Sequence, residues 1–293
     1  MKKLFLLALL LSGCNKNDAV VSPTSAIEFG QPVRVNVQGY SGNMMEPFLT
    51  RDGSMMLFNN LNAAPENTNL HWATKINDST FQYKGEIAGV NTAALEGVAT
   101  LDNLGNLYFV SNRDYATTLS TLYQCNFSNG TATHVQLIVG VSKLQAGLVN
   151  FDVEVSADGQ YLYFVDAQFD AAGNPTSADL VIAEKKGVGF QRLANSSDIT
   201  KNINTDDLEY AACISVDQLE LYFTRLAIPI TATSLSEIFI CTRKDKNQPF
   251  GRASKIATLT GFVEAATIAP DQATIYFHKK DNNKFVLYKI KKK

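Results

Sequence analysis

Five acidic residues recur near the starts of five similar segments of this 293-residue chain. They are Glu46, Glu96, Asp152, Glu209 and Glu264. Counted back from the turn aspartate that follows each one, the first three lie six residues away, Glu264 seven and Glu209 eight. Because successive side chains of a strand point to opposite faces, the sequence predicts that the first three point the same way. It leaves the other two unassigned.

Three interpretations of these carboxylates stay open if the segments surround one channel. Carboxylates close together repel one another, so their pKa values rise, or a cation or sugar hydroxyl groups lie among them. In a structural interpretation, each carboxylate accepts backbone N–H groups of a neighbouring segment. In a catalytic interpretation, two carboxylates about 5 to 9 Å apart cleave a glycosidic bond, and the candidates are Glu46, Glu96 and Asp152.

Other catalytic chemistry is not indicated. The histidines His71, His134 and His278 lack the spacing of metal ligands, so we interpret them as structural. The sequence has no G-x-S-x-G motif, phosphate-binding loop or dinucleotide fingerprint. We therefore expect no cofactor and no metal site, apart from a cation in the central channel.

The five segments share a pattern that must position the acids. Each has an apolar strand, a turn with an aspartate and a second strand with an aromatic residue, as in "MEPFLTRDGSMMLFNN". The turn aspartates are Asp52, Asp102, Asp158, Asp217 and Asp271. The aromatic residues are Phe58, Phe109, Phe164, Phe223 and Phe277, which recur every 51 to 59 residues. Aspartate suits tight turns, and a period of this length indicates a repeat architecture.

Each repeat continues with two more strand-like segments, and four strands make up a propeller blade. The fifth repeat lacks its fourth strand, but residues 27–37, before the first repeat, resemble the missing piece. The sequence therefore predicts an all-β fold, a five-bladed β-propeller of four-stranded blades over residues 27–293. The N-terminal strand would complete the last blade and close the ring, which removes two exposed sheet edges.

Composition restricts the partners. The net charge is −2 and only 18% of residues are charged, which argues against a nucleic-acid partner. Cys125, Cys213 and Cys241 are an odd set in apolar segments, so we expect buried free thiols and no disulfide framework.

The first residues read as a targeting segment. Lys2 and Lys3 precede a short apolar stretch that ends at Leu11-Ser12-Gly13-Cys14. This resembles the lipobox of bacterial lipoproteins, which implies a signal peptide over residues 1–14 and lipidation of Cys14. Residues 15–26 read as a flexible tether. Because Asn15 follows the cysteine, we expect a cell-envelope protein anchored to a membrane, with the outer membrane favoured.

The repeats resemble two families of propellers. "VSADGQYLYFVD" and "IAPDQATIYFHK" are similar to the WD40-like (PD40) repeats of TolB-type propellers. The starts "MEPF" and "LEGV" resemble, more faintly, five-bladed glycosidases whose blades supply a base, a modulating carboxylate and a general acid. The chain departs from that second family at Glu46, where aspartate is usual, and at Asp152, where a glutamate acid is expected. Aromatic platforms for a sugar are not evident from the sequence.

Two functional hypotheses follow. The first is a monomeric binding module that engages a protein or a glycan through one rim of the propeller. The loops "AQFDAAGNPTSAD" and "RLAIPITATSLSE", the latter with Ile228 and Ile230, would form part of that rim. The alternative is a glycoside hydrolase that acts through carboxylates at the mouth of the channel.

Overall fold

A computed structural model describes residues 27–62 and 67–293. Apart from two short helices, α1 (Tyr115–Thr118) and α2 (Ser196–Thr200), the regular elements of this part are β-strands. None of the helices in the described ranges is long and apolar enough to cross a membrane. The predicted signal peptide, Cys14 and the tether lie outside the described residues.

The described residues contain strands that we number in chain order. They are β1 (Val33–Arg34), β2 (Asn36–Gln38), β3 (Met45–Leu49), β4 (Met55–Asn59), β5 (Leu70–Asn77), β6 (Thr80–Glu86), β7 (Glu96–Leu101), β8 (Asn106–Ser111), β9 (Leu122–Ser128), β10 (Thr131–Leu137), β11 (Leu148–Val149), β12 (Val153–Val155), β13 (Tyr161–Phe169), β14 (Pro175–Lys186), β15 (Gly189–Arg192), β16 (Leu208–Ile214), β17 (Glu220–Leu226), β18 (Glu237–Thr242), β19 (Ser254–Lys255), β20 (Val263–Ile268), β21 (Thr274–Asp281) and β22 (Lys284–Lys291).

These strands form five antiparallel blades of four strands. The blades are β3–β6, β7–β10, β12–β15, β16–β19, and β20–β22 with β1. The third and fourth blades are also linked by one parallel bridge, Ala178 to Leu208. The innermost strand of each blade contacts the innermost strand of the next, and β20 contacts β3. The five inner strands therefore surround a common axis.

The N-terminal segment pairs with both the last and the first blade. Val33 lies opposite Lys289 in β22, and the Gly30 N–H donates to the carbonyl of Lys291 at 2.8 Å. Strand β2 then pairs in parallel with β6 of the first blade. The N-terminal segment therefore pairs with β22 on one side and with β6 on the other.

The recurring aromatic residues form the core. Phe58, Phe109, Phe164, Phe223 and Phe277 are all fully buried. Burying a side chain of this size contributes roughly 1.5 to 3 kcal/mol, so the repeat is chiefly a packing pattern. The three free cysteines of the described chain are buried as predicted, and burial raises the pKa of the Cys125 thiol to about 12.

A β-bulge interrupts four of the inner strands. Glu46, Val98, Ala211 and Ala265 have φ between 47° and 55°, a conformation that non-glycine residues seldom adopt. Each bulge turns a backbone N–H towards an adjacent blade. The acceptors are His278 for Glu46, Asn59 for Val98, Asp152 for Ala211 and Thr224 for Ala265. The bulges therefore fasten blades to one another at the same level of the channel.

One predicted loop differs. The segment 167–179 was expected to be a rim loop, but most of it belongs to the long hairpin of β13 and β14. The reason is cross-strand pairing, which continues to Phe169 opposite Pro175 and leaves a tight turn of five residues.

Candidate functional site

Three of the five predicted acids meet at one mouth of the channel. Glu46 comes from β3, Asp152 directly precedes β12, and Glu264 comes from β20. Their exposed fractions are only 5%, 5% and 6%. Glu46 and Glu264 also place side-chain oxygens within 4.8 Å of each other. We call Glu46, Asp152 and Glu264 the acid cluster.

His278 and Tyr210 hold Glu264 from two sides. His278 lies opposite Glu264 in the ladder of β20 and β21, and its Nε2 is 3.1 Å from Glu264 Oε2. The Tyr210 hydroxyl hydrogen-bonds to Glu264 Oε1. The Glu46 N–H donates to His278 Nδ1 at 3.1 Å, so the ring proton belongs on Nε2, facing Glu264.

Glu46 has the opposite environment. Its Oε1 accepts one hydrogen bond from Asn62 at 2.9 Å, and its Oε2 is buried without a hydrogen-bond partner in the described chain. Burial is the largest cause that raises the pKa of Glu46, from 4.5 to about 8. The charges of Asp152 and Glu264 raise this pKa further, and together these effects outweigh His278 and Asn62, which lower it. Glu46 therefore holds a proton at neutral pH.

Asp152 is also poorly compensated. Its Oδ2 accepts the Ala211 N–H at 2.9 Å, which matches the structural interpretation of the acids. Burial nevertheless raises the pKa of Asp152 well above its usual range, and the Glu264 charge contributes. Within residues 27–62 and 67–293, no lysine or arginine forms an ion pair with any member of the acid cluster.

Glu96 and Glu209 lie apart from the cluster in two matching networks. Arg113 donates to Glu96 at 3.0 Å, and Arg225 donates to Glu209 at 2.6 Å. Thr92 and Thr205, each four residues earlier, donate a backbone N–H and a hydroxyl to these carboxylates. Each of these two acids therefore has an arginine partner and two further donors. Burial still raises the pKa of Glu209, against the lowering effects of Thr205 and Arg225.

The predicted register of Glu96 was wrong. In the strand ladders, Phe48 pairs with Leu57, Thr100 with Tyr108 and Glu154 with Tyr163. Glu46 lies two residues before Phe48, and Asp152 lies two residues before Glu154. Glu96, in contrast, lies four residues before Thr100. The turn of the second blade starts two residues earlier than the others, so counting from Asp102 misplaced Glu96.

Two members of the acid cluster and His278 together form a group that could hold a cation. The spacing of the histidines in the sequence did not indicate this group. Oxygens of Glu46 and Glu264 and a ring nitrogen of His278 lie within 4.8 Å of one another. Because Oε2 of Glu46 has no hydrogen-bond partner in the described chain, this oxygen is free to bind either a proton or a cation. The channel cavity below is small, about 30 Å³, which is room for little more than water.

His278 and Tyr210 were the functional residues missed from the sequence. His278 was interpreted as structural, and it does accept a bulge N–H as Asn59 and Thr224 do. For His278 the sequence did carry a signal, since this residue directly follows the recurring aromatic residue Phe277. Tyr210 carried no signal, because only the ring of blades brings it to Glu264.

Comparison with known proteins identifies the fold. No family model matches the sequence, and no curated protein matches it. The structure is similar to that of a glycoside hydrolase, with a TM-score of 0.62 at 9% identity, over 90% of this chain and 91% of that one. It is also similar to an α-L-arabinofuranosidase from Podospora anserina solved with cellotriose, with a TM-score of 0.59 at 14% identity, over 91% and 97% of the chains.

The similarity to TolB is weaker. TolB from Acinetobacter baumannii aligns with a TM-score of 0.46 at 14% identity, over 86% of this chain and 54% of that one. At such identities the likeness concerns the fold alone. The chain has an all-β fold that matches five-bladed propellers, the architecture predicted from the repeats.

Proposed function

We propose that this protein cleaves glycosidic bonds of a carbohydrate at the acid cluster. The observation that carries the proposal is the pairing of two carboxyl groups in opposite environments. Glu46 keeps a proton because it is buried beside other acids, whereas Glu264 receives donors from Tyr210 and His278. Paired carboxyl groups whose environments separate their proton affinities are the arrangement that glycoside cleavage needs.

The roles follow from these environments. Glu46 protonates the departing glycosidic oxygen, and Glu264 acts as the second carboxyl group of the pair. Asp152 raises the pKa of Glu46 through its charge. Oxygens of Glu46 and Glu264 lie within 4.8 Å of each other, which is closer than the roughly 6.5 to 9.5 Å between the carboxyl groups of inverting glycosidases. The pair therefore favours double displacement, with Glu264 as nucleophile.

The test is hydrolysis of arabinan, xylan and fructan oligosaccharides. Glu46→Gln and Glu264→Gln should each lower the rate by roughly 10²- to 10⁴-fold, while the control Glu184→Gln, at a partly exposed position of β14, should not. Activity should fall as the pH rises through about 8, where Glu46 loses its proton. Failure of the unmodified protein to cleave any of the three substrates would reject the proposal.

A second candidate function is glycan or protein binding without cleavage. The low exposure of the acid cluster and the small channel cavity favour it. In that case the acid cluster is a buried proton or cation site that stabilises the blades. The protein would then retain a glycan or capture an envelope partner without releasing product, and Glu264→Gln would not change that binding.

We further infer a setting for this activity from the N-terminal sequence. Cys14 would be lipidated and hold the propeller, as a monomer, at a membrane of the bacterial cell envelope. Residues 15–26 would act as the tether. We also infer that pairing of β1 with β22 closes the ring of blades, because it supplies the strand that the last blade lacks. Labelling with a radioactive fatty acid, lost in Cys14→Ser, tests the anchor.

A further inference from the structure

The propeller has two faces, and the acid cluster opens on one of them. The innermost strand of each blade starts on the side of the acid cluster and runs to a turn that contains a recurring aspartate. These turns therefore lie on the opposite side, which we call the turn face. Its five aspartates are Asp52, Asp102, Asp158, Asp217 and Asp271.

The N-terminal end of the described chain lies at the turn face. The Lys293 N–H donates to the Glu28 carbonyl at 2.9 Å, and Phe29 pairs with Lys292 in an antiparallel bridge. The Lys292 N–H donates in turn to the carbonyl of Ala273 at 2.9 Å, in the aspartate turn of the last blade. The chain therefore enters the propeller from the turn face.

The acid cluster lies about one strand length from this entry point. In the last blade Glu264 pairs with His278, and His278 pairs with Leu287 of β22. Five residues along the chain separate Leu287 from Lys292, which corresponds to roughly 17 Å in a strand. Strand β22 therefore runs from the level of the acid cluster to the turn face, and the entry point and the acid cluster are on opposite faces.

The length of chain before the propeller limits where a lipid on Cys14 can hold it. Residues 15–26 separate Cys14 from Ile27. Fully extended, this chain reaches at most roughly 45 Å, and a flexible chain of this length has an r.m.s. span of roughly 20 Å. With the acid cluster turned to the membrane, the tether would have to reach back past the strands and the loops beyond them, farther than this span. Because such stretching costs conformational entropy, the turn face is the side held nearer the membrane.

The turn face presents apolar side chains among charges of both signs. Leu104 is 71% exposed in its turn, and Val216 is 48% exposed. The exposed charged residues of this face include Asp52, Asp158, Asp217, Asp271, Lys291 and Lys293. Because the charges offset one another, electrostatic attraction to a lipid surface is weak. The anchor must therefore supply most of the association.

We propose that the turn face lies against the membrane that holds lipidated Cys14, with Leu104 and Val216 at the level of the lipid headgroups. The acid cluster then opens away from the membrane. A long carbohydrate chain reaches it from the aqueous side, without passing between the propeller and the lipid. This orientation rests on the lipid anchor inferred under the proposed function, but it does not depend on cleavage at the acid cluster.

Quenching of fluorescent labels by a lipid nitroxide tests the orientation. The protein, isolated with its N-terminal lipid, is reconstituted into phosphatidylcholine vesicles that contain a lipid with a nitroxide headgroup. One thiol-reactive fluorophore at a time is attached to Leu104→Cys or Val216→Cys on the turn face. Leu144→Cys and Leu235→Cys, at exposed positions of loops on the acid-cluster face, are the matched controls. The native cysteines of the described chain are buried, so they do not compete for the fluorophore.

The nitroxide should quench each turn-face label at least about threefold more than each control label, because the strands hold the two faces roughly 17 Å or more apart. Cys14→Ser should abolish the quenching at all four positions. Equal quenching of both faces, stronger quenching of the control labels, or no quenching at any position would overturn the proposal. Quenching that persists in Cys14→Ser would also overturn it, because the turn face would then bind lipid without the anchor.

Two further measurements keep this test separate from that of the proposed function. Circular dichroism of each labelled variant shows that the substitutions leave the fold intact. Hydrolysis of arabinan, xylan and fructan oligosaccharides is measured on the same vesicles. Quenching confined to the turn face, in a protein that cleaves nothing, would keep the orientation and reject the proposed hydrolysis. Hydrolysis without selective quenching of the turn face would reject the orientation alone.

Discussion

The two groups of buried acids differ in how their charge is compensated. Glu96 and Glu209 are fully buried, and each is met by an arginine, a threonine hydroxyl and a backbone N–H. The acid cluster is almost as deeply buried but has no arginine or lysine partner in the described chain. Glu46 and Glu96 differ in register by only two residues along equivalent strands. A difference of two residues therefore separates an acid with an arginine partner from an acid with an oxygen that has no hydrogen-bond partner in the described chain.

The largest effect should come from separating the halves of the acid cluster. Glu46 lies in the first blade and Glu264 in the last, and residues 27–38 join these blades. Deleting residues 27–38 should cost more than about 5 kcal/mol, a large part of the stability of a typical domain. Urea unfolding measures this. Deletion of residues 15–26 is the control, and an equal effect of both deletions would contradict the role of the strand.

Removing the arginines tests the compensated group. Arg113→Met or Arg225→Met leaves a buried carboxylate without its partner, which should destabilise the protein by roughly 3 to 5 kcal/mol. The exposed Arg252→Met should change stability by less than about 0.5 kcal/mol. Equal midpoints of urea unfolding for all three variants at pH 7 would show that these ion pairs do not compensate the acids.

The pH dependence of stability tests the uncompensated group. The folded-state pKa of Glu46, about 8, is above its ordinary value of 4.5. The contribution of protonated Glu46 to the free energy of unfolding is therefore fully present below pH 4.5 and is lost as the pH rises through 8. Glu46→Gln should remove this loss and stabilise the protein at pH 9 by on the order of 3 to 5 kcal/mol. Unfolding free energies from pH 4 to 9 measure it. A variant that is less stable than the parent at pH 9 would refute the assignment.

The smallest effect should come from one threonine of the compensated group. Thr205→Val removes the hydroxyl that donates to Glu209 but keeps the backbone donor, and should cost about 1 kcal/mol. Thr133→Val, at an exposed site of β10, should cost less. If Thr205→Val is instead as harmful as Arg225→Met, the arginine is not the main partner of Glu209.

The blades could be predicted from the sequence because their signals are local. An aspartate turn followed by a buried phenylalanine recurs in every repeat, and the N-terminal piece resembles the strand that the last blade lacks. The site could be predicted only in part. The turn of the second blade starts early, so the register of Glu96 was miscounted. The bulges at Glu46 and Ala211 have backbone conformations that their residue types do not predict. Tyr210 reaches Glu264 only through a contact between two blades. His278 pairs with Glu264 within the last blade, but it accepts the Glu46 N–H from the first blade, far away in sequence.

Carbon-13 NMR titration of side-chain carboxyl groups tests most directly whether the acid cluster is uncompensated. The protein is labelled with ¹³C at the glutamate carboxyl carbon, and Glu46→Gln assigns the resonance. The account predicts one glutamate resonance with a midpoint near pH 8, absent from the variant. A spectrum in which every glutamate has finished titrating below about pH 6 would contradict it.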